Sequence, residues 1–220
     1  EPAPALEFGG PFELIGAEPL IPHPGAIAEV GELVAEGPLG LLFSHLHTDH
    51  VQGVGALCRT RAAEGVDFFQ TPAQANRHNY TTRPGVALLD EVSCLRAQKL
   101  QDAPLAAVPG YPGVGVVHAA GHTPGSQVVL VAVQERRKRR LVALVGDVVN
   151  CADGARHDVA KPPLYSAFIV PEAGTRLREV RRWLGGLGAE HGFELAPTHD
   201  QLALEALGLL TPGTTAAPES

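Results

Sequence analysis

The sequence lacks methionine and has no long apolar run. Because no methionine occurs among its 220 residues, even at position 1, we expect the segment that begins at Glu1 to follow removal of a leader or shortening of the chain. No apolar run approaches the roughly 18 residues that a membrane-spanning helix needs. The first residues also lack the basic-then-apolar pattern of a secretion signal. A membrane protein is not predicted, and the compartment stays open between periplasmic or secreted, after loss of a leader, and cytoplasmic.

Cysteine and positive charge are also scarce. Cys58, Cys94 and Cys151 are odd in number and widely spaced, which gives neither a CxxC metal knuckle nor a complete disulfide framework. Lys and Arg total 17 against 24 Asp and Glu, and a formal charge of -7 provides no attraction to nucleic acid or anionic lipid. We therefore expect a small molecule rather than nucleic acid or a membrane as the partner, and leave a homodimer open.

The size and proline distribution predict the domain organisation. One domain over residues 1–210 is expected, since a single core stops growing only near 250 to 300 residues. Seven prolines in residues 1–38 favour an irregular N-terminal segment, with at most a short helix at 26–36. Residues 211–220 are expected to form a flexible tail.

Strand and helix patterns occur in both halves of the chain. Apolar and β-branched runs predict strands at 39–43, 66–69, 114–119, 127–133, 141–145 and 193–196. Helices are predicted at 51–63, after the N-cap Thr71, at 172–187 and at 201–210. Within the third helix, the core face is marked by Leu177, Val180, Leu184 and Leu187. Strands followed by helices in each half favour two sheets packed face to face with helices outside.

A basic run, residues 136–140, lies between two of the predicted strands and holds 5 of the 17 basic residues. By itself, such a run is also typical of a nucleic-acid or targeting patch. We interpret it as a solvated hairpin turn that protects the sheet edge from aggregation, because it joins the strands 127–133 and 141–145.

Residues 44–50 (SHLHTDH) place three of the ten histidines and a carboxylate directly after a predicted strand. In extended backbone, His45 and His47 point to the same side and can share one metal ion. Asp49 and His50 can turn toward a second ion, at the roughly 3.5 to 4 Å separation of two-metal sites. Because one ion needs more than two imidazoles, further ligands are expected at other strand ends. Three candidates follow apolar strands: His122, Asp147 and His199.

These motifs resemble, in order, the HxHxDH, GHTPGS, GD and late-His pattern of the metallo-β-lactamase superfamily. The resemblance implies an α+β fold, a four-layer αββα sandwich with two mixed β-sheets and helices outside. It also implies a ligand set. The first metal would be held by His45, His47 and His122, the second by Asp49, His50 and His199, and both would be bridged by Asp147. Two Zn(II) ions are favoured, with iron or manganese as alternatives.

The resemblance further implies a metal-dependent hydrolase in which a metal-bridging hydroxide cleaves an ester, lactone or thioester. Asp49 would bind metal and orient the hydroxide. Tyr165 lies where some lactonases place a phenol that contacts a substrate carbonyl, although packing in the interior is the commoner role of such a residue. With Asp147 in the bridging place and no Cys beside a ligand, the chain is closer to lactonases and glyoxalase-II-like thioesterases than to true β-lactamases.

Other interpretations remain open. The alternatives to this hydrolase are a mononuclear iron enzyme similar to persulfide dioxygenases, a β-lactam hydrolase and a non-catalytic metal-binding module. Lys161 and the segment 156–158 could bind an acidic substrate group, but surface charge is the expected role. The remaining histidines are expected at the surface or in ordinary hydrogen bonds: His23, His78, His118, His157 and His191.

Overall fold

The computed structural model describes residues 39–60, 65–135, 138–164, 166 and 170–209. The predictions for the N-terminal segment 1–38, its helix at 26–36, Tyr165 and the tail 211–220 lie outside these residues, and the single domain stays a prediction. None of the described helices is long and apolar enough to cross a bilayer.

The first sheet has three strands, β1 (Gly40–Leu41), β2 (Val66–Gln70) and β3 (Leu95–Lys99), in the order β1-β2-β3. Both pairings are parallel. The helices between these strands are α1 (Thr48–Val51), α2 (Val54–Thr60), α3 (Pro72–Asn76) and α4 (Arg83–Asp90). Parallel neighbours require crossover connections, and these helices supply them.

The second sheet has five strands in sequential order: β4 (Ala106–Ala107), β5 (Val114–His118), β6 (Gln127–Glu135), β7 (Lys138–Gly146) and β8 (Glu194–Pro197). Strands β4 to β7 pair antiparallel, and β8 pairs parallel to β7 after α5 (Ala152–Arg156) and α6 (Gly174–His191). The last helix is α7 (Gln201–Ala206). Within the described residues, only this second sheet mixes strand directions.

Three clusters of buried side chains define the layers. Phe68 of β2 packs with helical residues such as Val51 on the outer side of the first sheet. Phe69, on the opposite face of β2, packs with Val116 of β5 between the two sheets. Val128 of β6 packs against α6 on the far side of the second sheet. The order helix, sheet, sheet, helix confirms the predicted αββα sandwich, because successive strand residues face opposite sides.

Most predicted elements are present, with shifted ends. The expected core face of α6 is confirmed, since Leu177, Val180, Leu184 and Leu187 are all buried. The start predicted for the helix at 51–63 is wrong: the helix begins earlier, at Thr48, and turns at residues 52–53 divide it into α1 and α2. Its predicted end, at 61–63, lies outside the described residues. The sequence pattern did not predict β3 or α4. β3 is largely exposed, so it lacks the apolar alternation that marks a half-buried strand.

Residues 138–140 of the basic run begin β7, next to the hairpin that was predicted, and residues 136–137 lie outside the described part of the chain. Glu135 pairs with Lys138 where β6 and β7 meet, and Arg140 contacts Glu135 and Glu194. Cys58 and Cys94 form a disulfide between α2 and the turn before β3, and Cys151 is a free, exposed thiol. The cysteine spacing had given no such pairing.

Candidate metal centre

The structure brings the seven predicted ligands together at one edge of the two sheets. They form two adjacent groups, and within each group one potential ligand atom per residue lies within 4.8 Å of the others. The first group consists of His45, His47 and His122, and the second of Asp49, His50, Asp147 and His199.

Two buried glutamines place the histidine-rich loop at this edge. Gln74 of α3 and Gln127 of β6 both donate from Nε2 to the main-chain oxygen of Phe43, each at 2.9 Å. The main-chain N–H of Gln127 also donates to the oxygen of Ser44 at 2.7 Å. Both glutamine side chains are fully buried. Their bonds hold the chain directly before His45 against α3 and against the second sheet.

A close approach of two chain segments brings Asp147 to the same place. Gly146 has φ +57°, and a Cβ at this position would lie 2.5 Å from Cβ and Oγ of Ser44. Only glycine adopts this conformation without cost and leaves room for such an approach. The end of β7 therefore lies directly against the loop that carries His45.

The imidazoles of the first group point three nitrogens at one another. His45 Nε2 lies 2.9 Å from His47 Nδ1, and His122 Nε2 lies 3.2 Å and 3.1 Å from these two atoms. The opposite ring nitrogens have other partners: Ser44 Oγ for His45, Thr81 Oγ1 for His47 and Glu172 Oε1 for His122. If each neutral ring donates its proton outward, the three converging nitrogens all present lone pairs.

This geometry fits a metal ion. Three lone pairs that face each other repel, and a cation between them removes the repulsion. For Zn–N bonds of about 2.0 to 2.1 Å, tetrahedral ligand nitrogens lie about 3.3 Å apart, close to the spacing observed. Burial and neighbouring imidazoles lower the pKa of His45 well below its usual value and that of His47 to about 4. Both rings are thus neutral at pH 7, the form that binds metal.

Asp147 lies between the two groups. Its Oδ2 is 3.8 Å from His122 Nε2 and 4.0 Å from His45 Nε2, and accepts a hydrogen bond from His199 Nε2 at 3.1 Å. Burial alone would raise the pKa of this carboxyl, but the His199 bond and the surrounding imidazoles hold it well below its usual range. The same bond raises the pKa of His199.

Two buried atoms of the second group lack a hydrogen bond. His50 Nε2 and Asp147 Oδ1 have no hydrogen-bond partner within the described part of the chain, and lie 3.4 Å apart. Asp49 Oδ2 lies 3.5 Å from the same His50 nitrogen. Unsatisfied buried polar atoms are costly. A second cation held by Asp49, His50, Asp147 and His199 would satisfy both.

The site opens toward solvent on the side of the second group. The side chains of His45 and His122 are 1% exposed, whereas those of Asp49 and His199 are 35% and 55% exposed. A molecule that enters the site from solvent therefore meets Asp49 and His199 first. Asp49 is placed to contact both a cation and an approaching molecule.

Lys161 and Glu172 lie behind the first group of ligands. The sequence pattern did not predict this position for either residue. The prediction that Lys161 is a surface charge is wrong, because its side chain is only 6% exposed. The ammonium donates hydrogen bonds to Glu172 Oε1 at 2.6 Å and to the main-chain oxygen of Asp147 at 2.7 Å. The surface role predicted for the segment 156–158 is confirmed for Arg156 and His157, which are exposed. Arg156 pairs with Asp153, and Asp158 pairs with Arg181 and Arg182.

Two of the remaining histidines make ordinary hydrogen bonds, as predicted. His118 Nε2 contacts the oxygen of Pro124 at 3.0 Å, and His78 Nε2 contacts that of Ala75 at 3.3 Å. Neither ring points into the groups of candidate ligands.

No protein-family model matches the sequence, and no curated protein matches it. Solved structures do match. An N-acyl homoserine lactone hydrolase with the product N-hexanoyl-L-homoserine at its catalytic metal centre is 17% identical, with TM-score 0.54 over 80% of this chain and 63% of that one. A quorum-quenching N-acyl homoserine lactone lactonase is 16% identical, with TM-score 0.55 over 81% and 66%. The AiiA protein of B. thuringiensis is 17% identical, with TM-score 0.52 over 76% and 58%.

These similarities establish the fold. The chain has the metallo-β-lactamase fold, which the two-sheet architecture and the site at the sheet edge also indicate. The chain spans less than two thirds of the length of each of these three proteins.

Proposed function

We propose that the protein is a metal-dependent hydrolase that binds two divalent cations, favouring zinc, and cleaves a small ester, lactone or thioester. The observation that carries the proposal is the position of Asp147. Its carboxylate lies between the three imidazoles of the first group and His50, whose buried Nε2 has no hydrogen-bond partner among the described residues. Cations about 3.5 to 4 Å apart that share a carboxylate are typical of metallohydrolases.

The chemistry divides between the ions and the side chains. When bound, divalent ions lower the pKa of water and polarise a carbonyl oxygen, and no serine or cysteine nucleophile is then required. Burial keeps His45 and His47 neutral and available as ligands. The Asp147 carboxylate supplies negative charge to both positions. Asp49, half-exposed at the open side, is placed to accept a proton or to orient the attacking group beside the substrate.

The fold and the ligand chemistry support the substrate class. The similar structures named above include lactonases and one with a lactone-hydrolysis product at its metal centre. A carboxylate in the bridging place departs from true zinc β-lactamases, which makes a β-lactam the less favoured substrate. The formal charge of -7 favours a small molecule over nucleic acid.

A panel of lactones, thioesters and nitrophenyl esters tests the proposal, with enzyme purified without added metal. We expect about two equivalents of divalent metal, activity that a chelator removes, and recovery on adding Zn(II) back. One iron with oxygen uptake would instead indicate the dioxygenase alternative. Two bound metals without turnover of any substrate in the panel would contradict hydrolysis and favour a non-catalytic module.

Asp147→Ala tests the bridge. We expect loss of at least one metal equivalent and of hydrolysis, since the other ligands cannot connect the two positions. Metal analysis and the same substrate panel measure this. Asp90→Ala, at an exposed carboxylate on α4, is the matched control and should retain both properties. Full activity in Asp147→Ala would refute the assigned role.

A further inference from the structure

A buried ion pair lies directly behind the first group of ligands. The Glu172 side chain is 0% exposed, and its Oε1 lies 2.7 Å from His122 Nδ1 and 2.6 Å from Lys161 Nζ. Its other oxygen, Oε2, accepts a hydrogen bond from Ser166 Oγ at 2.7 Å. Each carboxylate oxygen therefore has a donor, which is the condition under which a buried charge is tolerated.

The Glu172 contact fixes the orientation of His122. With Nδ1–H donating to the carboxylate, the ring must present the Nε2 lone pair toward His45 and His47. A carboxylate behind a ligating histidine holds both tautomer and ring plane and raises the basicity of the ligand.

Lys161 connects this arrangement to the second metal position. Its ammonium bonds to Glu172 on one side and to the main-chain oxygen of Asp147 on the other. The Lys161 ammonium therefore holds His122, a candidate ligand of the first ion, through Glu172. It also holds the backbone of Asp147, which lies between the two metal positions. The two ligands come from different loops, one after β5 and one after β7.

We infer that Glu172 and Lys161 are positioning residues of the metal centre: Glu172 sets His122 for the first ion, and Lys161 fixes the distance between His122 and Asp147, which sets the spacing of the two ions. This inference rests on the proposed two-metal function. It assigns neither residue a contact with substrate. A packing role alone would require only that the pair stabilise the fold.

Co(II) binding to the metal-free protein separates positioning from packing, because the visible spectrum of Co(II) reports ligand geometry without any substrate. Glu172→Gln keeps the size of the side chain and removes its charge, and we expect the first Co(II) to bind about 10 to 100-fold more weakly. Lys161→Met removes the ammonium, and we expect weaker binding of both ions with a changed spectrum. Urea unfolding of each metal-free variant is measured in parallel.

Two further variants keep the test decisive. Ser166→Ala removes only the hydroxyl bond to Oε2, so it serves if Glu172→Gln does not fold, and we expect a smaller loss of affinity in the same direction. Glu179→Gln, at an exposed ion pair with Arg176 on α6, is the control and should leave Co(II) affinity and spectrum unchanged.

The outcomes distinguish this inference from the proposed function. If the wild-type protein binds no Co(II), the metal centre itself is refuted. If the wild type binds two ions and the folded variants bind them with the same affinity and spectrum, only the positioning role is refuted, whatever happens to stability. Weaker binding in Glu172→Gln or Ser166→Ala with the control unchanged supports it.

Discussion

Replacing Gly146 with alanine should disturb the fold and the metal centre together. The residue has φ +57°, and the added Cβ would lie 2.5 Å from two atoms of Ser44, Cβ and Oγ. Rotating the serine side chain moves Oγ but leaves Cβ in place. The backbone that leads into Asp147 must therefore shift away from the loop that carries His45.

The cost has two parts. An L-residue in the left-handed region costs about 1 to 2 kcal/mol. Forcing an extra methyl group into a packed contact costs about 1 to 3 kcal/mol. Their sum lowers the free energy of unfolding by about 2 to 5 kcal/mol, and the shift of Asp147 should reduce the metal content.

Urea unfolding of the metal-free protein measures the first effect and metal analysis the second. Gly192→Ala is the matched control, because Gly192 has φ +70° but no atom within 4 Å of the added Cβ. Gly192→Ala should lower the free energy of unfolding by only about 1 to 2 kcal/mol and leave the metal content unchanged. Ser44→Gly combined with Gly146→Ala removes both close contacts. This double variant should regain the stability lost to the close contact, but not the cost of the left-handed backbone. Equal losses in Gly146→Ala and Gly192→Ala would refute the reasoning.

Two more predictions concern stability. Cys58→Ser with Cys94→Ser opens a link across 36 residues, which the chain-entropy relation values at about 4 kcal/mol; a reduced urea midpoint is expected, and an unchanged one would contradict it. The pKa of Asp158 is lowered by its hydrogen bond to Arg182. Its stabilisation is therefore present above the ordinary Asp pKa and lost as pH falls through the lowered value. Asp158→Asn, which tolerates the positive φ, should flatten the decline of stability in acid, and an unaltered acid profile would count against the contact.

The ligands could be predicted from the sequence because they follow strands. His45 and His47 alternate in extended backbone, and His122, Asp147 and His199 each follow an apolar run within three residues, so a local pattern predicts their position at a sheet end. The division into two groups followed from the resemblance. The structure brings the residues together in this division.

The residues that orient those ligands could not be predicted in the same way. Glu172 contacts His122 across 50 positions of sequence, and Lys161 reaches Asp147 across 14. In the sequence, either residue resembles an ordinary surface charge, and this is the role that the sequence analysis predicted for Lys161. The contact between Glu172 and His122 forms only because α6 lies against the loop after β5. A carboxylate and a lysine between the GD motif and the last histidine are the one signal that could have been followed.

The contact between α6 and the loop after β5 also explains the non-ligand residues of the GHTPGS motif. Gly121 precedes His122 at φ +147°, and a Cβ there would lie 2.8 Å from the side chain of Leu177 on α6. Two residues further on, the hydroxyls of Thr123 and Ser126 bond to each other at 2.8 Å and close the loop. Because the glycine lets the loop touch α6, it also brings His122 within reach of the carboxylate that precedes this helix. The GHTPGS motif therefore encodes both a ligand and the close packing that orients it, and a larger side chain at Gly121 should misplace His122 even with every ligand present.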